Sequence, residues 1–225
     1  FAVAFLRYET GAELQQITER STKHQAYSRI LIFNDCQTLD TEQAQHFLQN
    51  LAGSSVAGVR DIHANIDQNE FRQAIQKIRD FIAAGDTYQV NFTYRLHFRS
   101  YGSAAALYLA LRQRQPVPYG AFATFPNGET ILSFSPELFV RHQSGTLLAR
   151  PMKGTAAATG DDQIDQMNAE ALSRDPKNRA ENVMIVDLLR NDLGRIAETG
   201  SVTVPRLFEV NRFSSVLQMT STVQA

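Results

Sequence analysis

Residues 178–196 have the sequence NRAENVMIVDLLRNDLGRI, and the spacing of its apolar side chains predicts a helix over Asn178–Asp192. Three apolar residues follow Glu181 at three, four and seven positions and share its helix face. They are Met184, Ile185 and Leu188. The preceding pair Asp175-Pro176 interrupts the helical pattern, so residues 160–192 are expected to form two helices.

On both sides of these helices the sequence predicts antiparallel strands. Before them, residues 120–150 contain short apolar runs separated by turn residues such as Pro126-Asn127-Gly128. The runs are Ala121–Phe125, Thr130–Phe134, Leu138–Arg141 and Thr146–Arg150. After the helices, residues 201–225 are mostly β-branched and apolar, which again favours strands. Helices in blocks beside antiparallel strands predict an α+β fold rather than a doubly wound one.

The first half of the chain contains shorter elements and a polar segment. Ser28–Phe33 is predicted to be a buried strand, Thr41–Leu51 a helix, and residues 11–20 a weak helix. Residues 53–69 are rich in Gly, Ser, Asp and Asn and form the most loop-like boundary in this half. We therefore predict that the chain consists of two parts. They are an N-terminal region at 1–64 and a larger domain at 65–225.

Composition excludes several classes of protein. The 225 residues carry 22 Lys+Arg and 23 Asp+Glu, whereas dedicated nucleic-acid binders usually have a basic excess. No apolar run approaches the roughly 18 residues that span a bilayer. The single cysteine, Cys36, excludes an internal disulfide framework and predicts a reducing, cytoplasmic location. Because apolar residues stand at both chain ends, we expect the chain to be a piece of a longer protein.

Lys153 is the first candidate for chemistry, because it follows a predicted strand and precedes Gly154-Thr155. A lysine held against apolar surroundings loses part of its preference for the charged form, and its amine becomes a usable nucleophile. The glycine would let a ligand approach the backbone closely, and the threonine hydroxyl would bind a carboxylate. The alternative is a solvated lysine at a strand end, and composition alone favours that alternative.

Glu181 is the second candidate, since its carboxylate is predicted to lie on the apolar helix face. A carboxylate in such a place must be paired, protonated or bound to a metal ion. Mg²⁺, held by one or two carboxylates and by substrate oxygens, is one solution. A buried ion pair is the other, and the candidate partners are Arg179, Arg190 and Arg195. The sequence leaves the two solutions open.

Glu137 is the third candidate, and it stands between Phe134 and Phe139 at the start of a predicted strand. An apolar setting favours the protonated carboxyl and would make this residue a general acid near neutral pH. The alternative is an ordinary glutamate at a sheet edge.

Five blocks of this sequence resemble the chorismate-utilising enzymes. They are Gly85-Asp86-Thr87-Tyr88-Gln89-Val90-Asn91, Pro118-Tyr119-Gly120-Ala121, Ser135-Pro136-Glu137-Leu138-Phe139, Arg150-Pro151-Met152-Lys153-Gly154-Thr155 and residues 178–196. The resemblance covers about residues 65–225, and the start of the chain more loosely. It implies a layered chorismate-binding fold with two mainly antiparallel sheets and flanking helices, incomplete in this chain.

The resemblance also implies roles for the candidate residues. A lysine at the position of Lys153 is typical of the branch that forms 4-amino-4-deoxychorismate for para-aminobenzoate and folate, whereas other branches often carry alanine. Lys153 is then expected to attack C2 of chorismate while Glu137 protonates the departing C4 hydroxyl. Glu181 would bind Mg²⁺, and the Gly154 backbone and the Thr155 hydroxyl would lie against the substrate. Ammonia from a partner glutaminase would attack C4 and expel the lysine.

The chain departs from the family pattern in two respects. Family members are longer, and their later half supplies a second metal-binding glutamate and further substrate contacts. Many relatives also have a histidine where this chain has Gln218. Two alternatives therefore stand beside the leading interpretation: an anthranilate-forming enzyme, and a truncated paralogue that binds chorismate or a glutaminase without catalysis.

Overall fold

The computed structural model of the chain describes residues 1–17, 28–213 and 215–225. Its helices are α1 (Glu9–Leu14), α2 (Thr41–Ala52), α3 (Gln68–Ala84), α4 (Ala104–Arg114), α5 (Asp162–Arg174) and α6 (Pro176–Gly194). Its strands are β1 (Ala2–Phe5), β2 (Arg29–Ile32), β3 (Gly58–Ala64), β4 (Leu96–Tyr101), β5 (Tyr119–Thr124), β6 (Thr130–Ser135), β7 (Leu138–Gln143), β8 (Thr146–Arg150), β9 (Met152–Ala157), β10 (Thr203–Phe213) and β11 (Val216–Gln224).

All strand pairs in the described residues are antiparallel, which confirms the α+β class. β11 lies inside a five-stranded sheet, where one of its edges pairs with β10 and the other pairs with β9 and then β8. β7 extends this sheet beyond β8. The other pairs, β1–β2, β3–β4 and β5–β6, form two-stranded sheets. The described residues thus form one large sheet and three small ones, where the resemblance implies two sheets.

Capping residues fix both ends of α3 and the start of α6. Asp67 caps α3 by accepting hydrogen bonds from two backbone amides, and Gly85 ends the helix at φ +82°. Asp175 caps α6 in front of Pro176, which confirms the predicted break between α5 and α6. α1 overlaps the weak helix predicted at 11–20, of which residues 18–20 lie outside the described residues.

The chain divides into two units, Phe1–Phe47 and Leu48–Ala225, whereas the sequence predicts a boundary between residues 64 and 65. The pairing of β3 with β4 explains the difference, because it joins Gly58–Ala64 to the larger unit. In the smaller unit, β2 forms where a buried strand is predicted, but the predicted burial is wrong. Ile32 is 82% exposed, because pairing with β1 satisfies the backbone of β2 but does not cover its side-chain faces.

α6 packs on the sheet through a stripe of apolar side chains. Val186 and Leu193 of this helix form a buried cluster with Ala149 of β8 and Val223 of β11. Asn182, one turn before Val186, is completely buried and accepts a hydrogen bond of 2.5 Å from the Ser221 hydroxyl. α6 is therefore fixed to β11 by both apolar and polar contacts. None of the helices in the described part of the chain combines the length and hydropathy needed to cross a membrane.

Asp165 ties α5 to the loop that follows β9. Its buried carboxylate accepts hydrogen bonds from the Thr159 amide at 2.6 Å, from the Thr159 hydroxyl at 2.8 Å and from the Gly160 amide at 3.3 Å. Arg212 of β10 forms an ion pair with it at 3.2 Å. The pKa of Asp165 lies below its ordinary value, mainly because of the hydrogen bond from the Thr159 amide. Hydrogen bonds to a carboxylate favour its charged form.

This lowered pKa predicts an acid-sensitive contribution to stability. A carboxyl whose pKa is lower in the folded chain stabilises it fully above the ordinary pKa of 3.8, and the contribution is lost as the pH falls below that value. We expect Asp165→Asn to lower the free energy of unfolding at pH 7 and to reduce the further loss on acidification to pH 3. Urea unfolding at both pH values measures this. Asp162→Asn, an exposed change in the same helical turn, is the control. Equal pH dependence in both variants would contradict the prediction.

Candidate active site

A break in the sheet edge sets the place of Lys153. β8 and β9 pair with the same edge of β11, and buried Pro151 separates them. The Ser221 amide donates a hydrogen bond of 3.1 Å to the Pro151 carbonyl, so β11 holds this break in place. Lys153 therefore lies at the start of β9, next to the centre of the sheet.

A β-bulge lies at the same point of β9. Met152 is opposite Thr220 and Thr155 is opposite Gln218, so β9 has one residue more than β11 over this interval. An extra residue bends the strand and changes the direction of the neighbouring side chain. The bulge therefore includes Lys153 and Gly154, the two residues between these pairs.

Position 154 requires a glycine for two reasons, its backbone conformation and a close neighbour on α6. Its φ of +96° is unfavourable for other residues, and an added Cβ would lie 3.1 Å from both Cβ and Oδ1 of Asn178. The close approach that the sequence predicts at this glycine is thus made, in this structure, by Asn178. Sequence reasoning missed Asn178, although its place in the first turn after Asp175-Pro176 was visible.

The structure leaves the Lys153 side chain half-buried. Among the residues that it describes, none forms a hydrogen bond or an ion pair with this side chain. The predicted role of Lys153 as a nucleophile therefore stays a prediction.

Glu137 is exposed, so the apolar setting predicted for it is wrong. The reason is that Phe134 packs on the Tyr108 ring, with centroids 5.0 Å apart, while the Phe139 side chain is 81% exposed. The Glu137 carboxylate accepts a hydrogen bond of 3.2 Å from the Met152 amide. It therefore lies beside the backbone that leads into Lys153.

Glu137 also lines a cavity of about 300 Å³ between the sheet and α6. The other lining residues are Ser135, Leu138, Phe139, Pro151, Ile185 and Leu189. Ile185 stands one helical turn after Glu181, so the cavity extends from the candidate acid toward the helix that carries the candidate metal ligand.

The predicted burial of Glu181 is wrong, because the sheet covers a neighbouring stripe of α6. The stripe contains Asn182, Val186 and Leu193, and Glu181 lies about 100° away from Asn182 around the helix. Its side chain is 45% exposed and forms an ion pair at 4.0 Å with Lys177, not with one of the predicted arginines.

The Glu181 carboxylate fits one position of a magnesium site. Mg²⁺ prefers oxygen ligands and keeps several waters, and a half-exposed carboxylate with a long ion pair can exchange its partner. Within the described ranges, no three His, Cys, Asp or Glu side chains gather as a metal-binding group. If Mg²⁺ binds here, these residues would supply one ligand, Glu181, and water or substrate oxygens would supply the others.

Thr155 and Gln218 are neighbours across β9 and β11. Thr155 is exposed and Gln218 is half-buried. This pairing sets Gln218, where many relatives have a histidine, opposite Thr155, which the resemblance places near the substrate. Thr220, the next alternate residue of β11, lines a second cavity of about 340 Å³ together with Arg150, Arg206 and Arg212, which sequence reasoning did not select.

A sequence model described as chorismate binding enzyme matches residues 2–225 of the chain. The chain is 40% identical over 162 residues to aminodeoxychorismate synthase component 1 of Klebsiella aerogenes, covering 72% of this chain and 36% of that protein. It is 35% identical over 207 residues to anthranilate synthase component 1 of Streptomyces coelicolor, covering 91% of this chain and 40% of that protein. It thus spans well under half the length of these relatives.

The fold is similar to that of anthranilate synthase component I from Streptococcus pneumoniae, with a TM-score of 0.79 at 24% identity. That match covers the whole of this chain and 56% of the solved one. Together with the family match over residues 2–225, these similarities show that the chain belongs to the chorismate binding enzyme family.

Proposed function

We propose that the chain forms part of an aminodeoxychorismate synthase component I, which converts chorismate and ammonia to 4-amino-4-deoxychorismate and water. The observation that carries this proposal is Lys153, a half-buried lysine without a partner among the described residues, at a bulge beside the central strand. The identity of 40% to a component 1 supports the same choice.

In this proposal Lys153 is the nucleophile. Its neutral amine forms a bond to C2 of chorismate, the ring double bond shifts, and the bond between C4 and its hydroxyl breaks. Ammonia then forms a bond to C4, the double bond shifts back, and the bond between C2 and the lysine breaks. The lysine is regenerated, and holding it at the bulge favours attack because the amine is positioned in advance.

In this proposal Glu137 supplies the proton that lets the C4 oxygen leave as water, a role that rests on the resemblance, since its setting is exposed and not apolar. Its carboxyl lies at hydrogen-bond distance from the Met152 amide, which directs it toward the segment that contains Lys153. The exposed setting allows it to recover a proton from solvent between turnovers.

Glu181 holds Mg²⁺ in this proposal, and Thr155 and the Gly154 backbone contact the substrate. When bound, the metal neutralises the ring carboxylate of chorismate and orients it. We further propose that a partner glutaminase supplies the ammonia. The name component 1, which the Klebsiella relative carries, favours a two-component enzyme.

An anthranilate-forming activity is the second candidate. The observation that favours it is the longer alignment with an anthranilate synthase component 1, which covers 91% of this chain. Lys153 weighs against it, because the resemblance associates this lysine with amination at C4.

Product analysis separates the two candidates. We expect chorismate, ammonium and Mg²⁺ to give 4-amino-4-deoxychorismate when the longest form that the parent reading frame encodes is assayed by mass spectrometry. Residues 1–225 alone should give no turnover, because the resemblance implies that a second metal-binding glutamate and further substrate contacts come from parts of the relatives that this chain does not span. Anthranilate together with pyruvate would favour the second candidate. Turnover by residues 1–225 alone would exclude a truncated, non-catalytic paralogue.

Lys153→Ala is expected to abolish amination in that longest form while the chain still folds, because alanine removes the nucleophile. Lys77→Ala, an exposed lysine on α3, is the control and should retain full activity. Initial rates and circular dichroism check the prediction. Activity of Lys153→Ala within about tenfold of the unchanged protein, a barrier change of about 1.4 kcal/mol, would show that Lys153 is not the nucleophile.

Glu181→Gln is expected to raise the Mg²⁺ concentration needed for half-maximal activity, since glutamine keeps the shape but lacks the charge that the cation requires. Glu170→Gln is the matched control, because Glu170 also forms an exposed i,i+4 ion pair, with Arg174 at 3.7 Å. The measurement is a magnesium titration of initial rates in the longest form. An unchanged titration curve for Glu181→Gln would mean that Glu181 serves only in its ion pair with Lys177.

A further inference from the structure

We propose that Asn178 is a positioning residue that sets the direction of Lys153 relative to Glu181. The inference rests on the proposed function, because that function gives Lys153 and Glu181 their roles. Asn178 itself is expected to contact neither substrate nor metal.

The first observation is the contact between Asn178 and the bulge. Its Cβ, Cγ and Oδ1 lie within 3.1 to 3.3 Å of the point where a Cβ on Gly154 would stand, so the asparagine covers this glycine. Gly154 is the residue directly after Lys153, and its φ of +96° is part of the local geometry that determines where Lys153 points.

The second observation is that Asn178 has a fixed conformation of its own. Asp175 Oδ1 accepts two hydrogen bonds from it, one from the Asn178 backbone amide at 2.8 Å and one from Nδ2 at 2.7 Å. The same carboxylate therefore caps α6 and holds the Asn178 side chain against Gly154. The rigidity of the helix end is transmitted to the bulge through this contact.

The third observation is the place of Asn178 on α6. Glu181 is three residues after it, and Asn182, bound to Ser221 of β11, is four residues after it. Residues at these spacings are neighbours on a helix surface. The contact of Asn178 with β9 and the contact of Asn182 with β11 therefore fix one turn of α6 to both strands. Glu181 lies between these two residues on the helix. A change at Asn178 alters the spacing between the proposed nucleophile and the proposed metal ligand.

Amine labelling of the longest form that the parent reading frame encodes tests this inference without requiring activity. The chain is treated with an acetylating N-hydroxysuccinimide ester, and mass spectrometry gives the labelling rate of Lys153 relative to that of Lys77 on α3. We expect Asn178→Ala to raise this ratio, because the bulge loses its cover and exposes the lysine. The matched control is Asn168→Ala, since Asn168 of α5 bonds the Ala157 carbonyl at the other end of β9, at 3.2 Å. Its ratio should stay unchanged.

Two isosteric variants distinguish a specific effect on Lys153 from a general loss of folding. Asn178→Asp places a second carboxylate beside Asp175, and the repulsion should displace the side chain and raise the ratio. The double change Asp175→Asn/Asn178→Asp exchanges the two side chains, so that an amide at 175 can donate to a carboxylate at 178. Helix capping is kept, because asparagine caps a helix as well as aspartate does. We expect the double change to return the ratio to that of the unchanged chain. Thermal unfolding verifies that the variants are folded.

The outcomes separate this inference from the proposed function. An unchanged ratio in both Asn178→Ala and Asn178→Asp overturns the inference, as does an equal rise in Asn168→Ala or a double change that fails to restore the ratio. If Lys153→Ala keeps its activity, the nucleophile role is wrong, and the labelling ratio still decides whether Asn178 controls the lysine.

In the longest form, Asn178→Ala is expected to lower kcat by up to about 100-fold while KM changes less, because a displacement near 1 Å has that effect on aligned groups.

Discussion

The hydrogen bond between Ser221 of β11 and Asn182 of α6 is the interaction on which the arrangement of this chain depends. Both residues are completely buried, and the Ser221 hydroxyl also accepts a hydrogen bond of 3.1 Å from the Phe208 amide of β10. One hydroxyl thus connects the central strand, its neighbour and the long helix. The Ser221 amide adds the contact to Pro151, where β8 ends and β9 begins.

This interaction has an energetic cost. The Asn182 Nδ2 atom is buried and has no hydrogen-bond partner among the described residues, and an unsatisfied buried donor costs about 1–3 kcal/mol. Val186 and Leu193 on the same stripe offset that cost, because fully burying an apolar side chain contributes about 1.5–3 kcal/mol. The hydrogen bond between Asn182 and Ser221 also fixes the position of α6 along β11, since apolar contacts alone would allow the helix to slide along the sheet.

The candidate site follows from the way in which α6 is fixed. The helix brings Asn178 onto Gly154 and leaves Glu181 half-exposed, and the break at Pro151 brings Glu137 next to the Met152 amide. These side chains come from three segments that are distant in sequence and are held by one helix and one strand. Single residues at such a site can change without loss of the fold, because α6 and β11 are held by other contacts.

Short-range signals in the sequence were enough to predict much of the local structure of this chain. Alternation and turn residues predicted the strands from β5 to β8, and Asp175-Pro176 predicted the break between α5 and α6. These signals are reliable because they act over a few neighbouring residues. The blocks around Glu137, Lys153 and Glu181 also indicated the family, which the match over residues 2–225 confirms.

The burial of side chains and the contacts between distant residues could not be predicted from such local signals. Periodicity placed Glu181 on an apolar face, yet the sheet covers the adjacent stripe, because small rotations of a helix decide its contacts and leave its hydrophobic pattern unchanged. The contact of Asn178 with Gly154 and the pairing of Gln218 with Thr155 join residues far apart in the chain. Such contacts are absent from any local pattern, since they arise from the packing of α6 and β11 on β9.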